Sequence, residues 1–186
     1  MRLALFLRAC CHVRLAVEVA HAERIGHGVD IMYEDHPYDL LKEMAVKHIL
    51  VEVNLTSNDA ILGVSGKGHS FPIYRKFDVP VALSTDDGGV SRIDMTHEYV
   101  RVVETYTLRY ADLKQIVRAS LEHSFLPGAS LSREPDAFTR TVPACATDRP
   151  GNAKPAAACA AFLKSSERAQ QQWELEYRFR AFEASF

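Results

Sequence analysis

The chain has 186 residues, enough for a domain with a real core, and 47% of them are hydrophobic against 25% charged. A formal net charge of -2 with neutral histidine offers no polybasic surface, which argues against nucleic acid and anionic membrane as partners. No apolar stretch reaches the roughly 20 residues of a transmembrane helix.

Residues 1–11 carry an apolar run that Arg8 and then Arg14 interrupt, too short and too charged for a signal peptide. The segment reads as the start of a helix or strand, or as a remnant of a longer chain; the sequence leaves the compartment open, with the cytoplasm as the default. Residues 11–23 place Val13, Ala16, Val17 and Ala20 at helical spacing. A strand is expected over 24–28, stopped by Gly26 and Gly28. His36-Pro37 opens a helix whose inner face is Leu40, Leu41, Met44 and Ala45. Residues 49–54, rich in branched side chains, form the next strand. Thr56-Ser57-Asn58-Asp59 follows with polar loop chemistry.

Gly63 to Ser70 is a glycine-containing loop. It fails the phosphate-cradling pattern, because Gly66-Lys67 is followed by Gly68 and soon by Pro72. A short helix over 71–77 and a strand over 79–84 come next, and Gly88-Gly89 makes a tight turn. Residues 96–108 and 110–126 read as helices. Tyr99, Val102, Val103 and Tyr106 form the inner stripe of the first. Leu113, Ile116, Val117, Ser120 and Leu121 form that of the second, which Pro127-Gly128 ends. Residues 132–158 lack periodicity. Residues 162–186 read as one long charged helix whose Trp173, Tyr177, Phe179 and Phe182 pack on the body. Cys10, Cys11, Cys145 and Cys159 fit neither a zinc ribbon nor a disulfide framework, and read as buried or inert reduced thiols.

Strands alternating with helices imply parallel βα units, in which functional groups collect at strand C-termini. His27, Asn54 and the pair Asp86-Asp87 all fall there. Two adjacent carboxylates at the tip of a buried strand need a positive partner, because desolvating an unpaired one costs several kcal/mol. The bland alternatives are a turn or capping role for Asp86 and Asp87 and a satisfied histidine at 27. The glycines flanking His27 favour a site. Asn54, Ser57 and Asn58 either line its floor or satisfy backbone groups at a strand end. For His69, near Pro72, an exposed loop position is preferred over one that approaches the site, and His36, His48, His97 and His123 read as solvated or capping.

Four segments in order, Arg24-Ile25-Gly26-His27-Gly28, Val53-Asn54-Leu55-Thr56-Ser57-Asn58, Leu83-Ser84-Thr85-Asp86-Asp87 and Ser124-Phe125-Leu126-Pro127, resemble the adenosine deaminase family of the amidohydrolase superfamily. The likeness is nearest to its secreted, growth-factor-related branch and bacterial relatives, and it covers about residues 12–131. The resemblance implies an α/β fold. Here that means part of a (β/α)8 barrel with about three parallel strands, flanking helices and a C-terminal helical extension. The expected division is a barrel portion, 1–131, and an irregular segment with a long helix, 132–186. The family reaction is zinc-dependent deamination of adenosine to inosine and ammonia. By resemblance Asp86 is a zinc ligand that also orients and helps deprotonate the attacking water. His27 is a catalytic group beside that water, and Asp87 binds the purine ring of the nucleoside.

Two family elements have no counterpart. No His-x-His pair exists among the eight histidines, and no His-Ala-Gly-Glu precedes His27; His12 and His21 align with the connecting helix. One of four expected zinc ligands remains, so the chain is expected to be a truncated deaminase, inactive alone and not retaining zinc. The alternatives are a non-catalytic deaminase-like protein and an amidohydrolase with another substrate. The sequence leaves the oligomeric state open.

Overall fold

The computed structural model describes residues 12–186; the expectation for the N-terminal segment, with Cys10 and Cys11, lies outside them. The chain divides into two compact units, the first ending at Val117 and the second being Arg118–Phe186.

In the first unit, helix α1 (His12–Glu18) buries Val13 and Val17. Strand β1 (Arg24–Gly26), helix α2 (Pro37–Val46) and strand β2 (Leu50–Val53) follow. Then come helix α3 (Leu55–Leu62), helix α4 (Phe71–Lys76) and strand β3 (Val81–Leu83). Short α5 (Gly88–Ser91) leads to α6 (Met95–Tyr106) and to α7 (Tyr110–Glu122), whose residues from Arg118 on belong to the second unit. The strands form one parallel sheet in the order β1-β2-β3, with Ile25 opposite Val51 and Val53 opposite Leu83. It is an open piece of a (β/α)8 barrel with helices around it. Every residue of β3 is buried, as expected of a parallel strand covered on both faces. Leu40, Leu41 and Met44 of α2 are fully buried among the strand side chains, each stabilising by roughly 1.5–3 kcal/mol.

Two local expectations fail. Leu55–Leu62 is a helix, not a polar loop, and Gly63 at φ 66 ends it. Ser and Asn favour caps and turns because they compete for backbone groups. Here their side chains have tertiary partners, described below, so the helix forms around them. Gly88-Gly89 opens the one-turn helix α5 instead of a bare turn.

In the second unit, the expected helix over 162–186 is two: α8 (Ala157–Ser165) and α9 (Glu167–Glu183). Ser166 between them is extended, at φ -138 and ψ 110, and its hydroxyl accepts the Ala169 N–H, capping α9. Trp173 is buried, but Tyr177 and Phe182 are exposed rather than packed on the body. Residues 132–158 hold a single bridge between Ser132 and Thr141 and a 3-10 turn, Pro143–Cys145. Cys145 and Cys159 form a disulfide, with Cα atoms 4.6 Å apart. That corrects the reading of reduced thiols: the turn packs on α8 and brings together two residues that spacing alone did not pair. The disulfide lies in a small core with Leu131, Leu163, Ala169 and Trp173. Among the described residues, no helix is long and apolar enough to cross a membrane.

Candidate active site at the strand ends

The parallel register sets the three strand ends side by side. The N–H of His27 donates to the Glu52 carbonyl (2.9 Å), and that of Ser84 to the Val53 carbonyl (3.0 Å). The hydrogen-bond ladder therefore runs just past the strands and holds His27, Asn54 and Ser84 at one rim. Beyond Ser84, Asp86 turns back at φ 51, and His27 itself sits at φ 62. Left-handed backbone at a residue other than glycine costs about 1 kcal/mol or more, so surrounding contacts must hold both. For Asp86 these are its N–H donating to Ser84 Oγ (3.2 Å) and Ser57 Oγ donating to its Oδ2 (2.7 Å).

Gly28 supports His27 from behind. The buried Tyr74 hydroxyl donates to its carbonyl (2.6 Å). Burial, with Glu34 and Asp30 adding, raises the Tyr74 pKa far enough to keep that proton in place. Gly28 has φ +58, and a Cβ there would lie 2.5 Å from Tyr74 Oη; at Gly26 a Cβ would meet nothing within 4 Å. Only the second of the flanking glycines is needed for close approach.

His27 Nε2 lies 3.7 Å from Asp86 Oδ2, with the two side chains 41% and 32% exposed. Its Nδ1 faces inward, 2.7 Å from Asn58 Oδ1 and 3.1 Å from Asn54 Nδ2. Asn58 Nδ2 is 2.8 Å from Nε2 of His69, and His69 Nδ1 accepts the Phe71 N–H (3.0 Å). Asn54, Ser57, Asn58 and His69 are all buried. The two strand-end options for Asn54, Ser57 and Asn58 thus resolve: their side chains hold His27 and Asp86.

His69 is a correction, buried in this cluster and not exposed on a loop. Burial, with Arg101 adding, lowers its pKa to about 4, so it is neutral near pH 7. Its one sequence signal was its place just before the helix start Ser70-Phe71-Pro72. His123, read as solvated or capping, lies instead 2.8 Å from Asp136 with its side chain 12% exposed. Asp87 is exposed at the α5 N-cap position and makes no side-chain cap bond. His12 and His21 are exposed, in α1 and just after it.

Asp86 and His27 are two donors, and no group of three His, Cys, Asp or Glu that could hold a metal occurs among the described residues. Catalytic zinc takes three protein ligands, so these residues do not fit a zinc ion by themselves. A cavity of about 490 Å³ lies in the second unit, lined by Arg118, Leu131, Phe138, Gln172 and Glu176 among others, none of them a residue that the motifs single out.

The adenosine deaminase family matches residues 8–133. An adenosine deaminase of Clostridium perfringens is 40% identical over 116 residues, covering 61% of this chain and 34% of that protein. One from Vibrio atlanticus is 35% identical over 111 residues, covering 59% and 32%. The chain thus spans about a third of the length of these relatives. Adenine deaminase from Arthrobacter aurescens superposes with a TM-score of 0.55 at 21% identity, over 62% of this chain and 35% of that one, a likeness of fold.

Proposed function

The chain belongs to the adenosine deaminase family, and from that premise we propose that it contributes the strand-end half of a site for hydrolytic deamination of adenosine or a related purine nucleoside. The observation that carries the reading is the convergence of His27 and Asp86 from the ends of β1 and β3, on either side of β2, on strained backbone, with Ser57 and Asn58 holding their side chains. In this reading Asp86 is the anionic centre. It accepts a proton from the attacking water, and it would supply one ligand to the family's zinc where other polypeptide supplied the rest. His27, beside it, hydrogen-bonds the oxygen that attacks the purine carbon and handles protons there. Asp87, exposed on the same loop, pairs with a ring nitrogen and orients the base.

The remaining ligands and the general acid must come from polypeptide other than the described residues. Zinc content and ammonia release from adenosine test this. The purified 186-residue chain is expected to hold no stoichiometric zinc and to release no ammonia. Zinc with turnover from this chain alone would overturn the reading of an incomplete ligand set.

A chimera supplying the preceding part of the Clostridium perfringens relative tests the residue roles. Asp87→Ala is expected to raise KM with little change in bound zinc. Asp86→Ala is expected to lose zinc and turnover together. Turnover unaffected by either change would refute the assignment, and a folded but inactive chimera would favour a non-catalytic role.

A further inference from the structure

We infer that Asn58 and His69 are positioning residues that fix the tautomer of His27, holding its proton on Nε2, the nitrogen that faces Asp86. The relay begins at a donor whose sense is beyond doubt: a backbone N–H can only donate, and that of Phe71 donates to His69 Nδ1 at 3.0 Å. A neutral imidazole carries one N–H. His69 is buried, and burial holds it neutral, so its proton is on Nε2.

That Nε2–H points at the Asn58 side chain, 2.8 Å away, and must find an acceptor there. The two ends of an amide are distinguished by their partners. With the Asn58 nitrogen toward His69, both His69 nitrogens would be acceptors and the ring would have no place for its proton. The Asn58 oxygen therefore faces His69, and its NH2 group faces His27 Nδ1 across the 2.7 Å contact. Nδ1 of His27 is therefore an acceptor, and Asn54 Nδ2 lies 3.1 Å from it. The His27 proton is left on Nε2, directed toward Asp86 Oδ2 at 3.7 Å.

That distance is too long for a direct hydrogen bond, and an oxygen set to the side of the Nε2–Oδ2 line can contact both groups. Given the deaminase reading, on which this consequence alone rests, His27 offers an N–H to that oxygen. Asp86, already accepting from Ser57, offers a free lone pair. The relay makes His27 a donor at the reacting oxygen and leaves proton abstraction to the carboxylate.

The test is nitrogen NMR of the intact chain with 15N-labelled histidine, which reads tautomers whether or not the chain deaminates anything. Wild type is expected to show His27 and His69 each protonated at Nε2 and bare at Nδ1. In Asn58→Asp the side chain can only accept from both rings, and the His27 proton is expected to move to Nδ1. In His69→Gln the Asn58 amide is free to rotate, and both His27 tautomers are expected. A wild-type His27 protonated at Nδ1 would overturn the relay even if neither variant folds. So would a His27 tautomer unchanged in both folded variants.

Discussion

In residues 12–117 one set of buried polar side chains converges on a half-open rim, beside others such as Glu34 and Ser70 that tie elements together; in Arg118–Phe186 the tying role is the one seen. At the strand ends Asn54, Ser57, Asn58 and His69 surround His27 and Asp86, whose side chains stay 41% and 32% exposed. In the second unit Arg118 on α7 makes a two-pronged pair with Glu176 on α9 (2.6 and 2.9 Å), and Gln172 donates to Glu122 (2.8 Å). The Cys145–Cys159 disulfide closes the small core beside them. Polar groups arranged to leave a histidine and a carboxylate facing outward argue for chemistry. Polar groups used up on one another argue for stability, in a unit whose apolar core is small.

The comparison is broken most severely at Gly28. Gly28→Ala forces a side chain onto φ +58 and against Tyr74 Oη and Val51 Cγ1, which lie 2.5 and 3.1 Å from the new Cβ. The expected loss is about 4 kcal/mol, combining backbone strain with overpacking, read from urea unfolding. Gly26→Ala meets nothing within 4 Å and is expected to cost under about 1 kcal/mol. Equal losses at the two positions would show that the close approach of Tyr74 does not hold the His27 loop.

In the second unit the corresponding break is covalent. Cys159→Ser opens a loop of sequence separation 14, worth about 3 kcal/mol in the chain-entropy account. Thermal unfolding with and without reductant is expected to differ in wild type and to coincide in the variant.

The pH dependence sharpens the first half of the comparison. His69 falls from its ordinary 6.5 to about 4 in the folded chain, through burial first and Arg101 second. Between those values the unfolded state binds a proton that the folded state refuses. Stability therefore rises with pH across that window. The contribution of neutral His69 is fully present above pH 6.5 and is lost as pH falls toward 4, with a ceiling of about 3 kcal/mol. His69→Gln is expected to flatten the slope of unfolding free energy between those limits. A slope unchanged in that variant would place the titration elsewhere.

The first unit was legible because its signals are local. Branched runs gave β2 and β3, helical spacing gave α2, α6 and α7, and the ordered motifs put His27 and Asp86 at strand ends. Its misses were long-range. Nothing near Ser57 or Asn58 in sequence shows that their partners lie 29 and 31 residues away, so the segment read as a polar loop. His69 looked like any loop histidine until the fold closed over it. In the second unit the pairing of Cys145 with Cys159 depends on a turn packing against α8, which no periodicity encodes. The break at Ser166 had a local signal that the long helical pattern masked: Ser165-Ser166 followed by Glu167, a cap residue and then an acidic first turn.

That break makes the smallest prediction, and its sign carries the information. If residues 162–186 were one helix, Ser166 would be an interior position. Alanine would then stabilise by about 0.5 kcal/mol through propensity. In the structure the Ser166 hydroxyl accepts the Ala169 N–H (3.2 Å) and donates to the Ala129 carbonyl (2.6 Å) from a buried position. Ser166→Ala removes the cap and strands that carbonyl, so it is expected to destabilise by about 1–2 kcal/mol. Ser166→Thr keeps the hydroxyl and is expected to recover part of the loss, short of wild type, because Gly128 packs closely on this side chain. A more stable alanine variant would restore the single helix. A destabilised one, with threonine between it and wild type, assigns the loss to the hydroxyl and keeps α8 and α9 as separate elements joined at a cap.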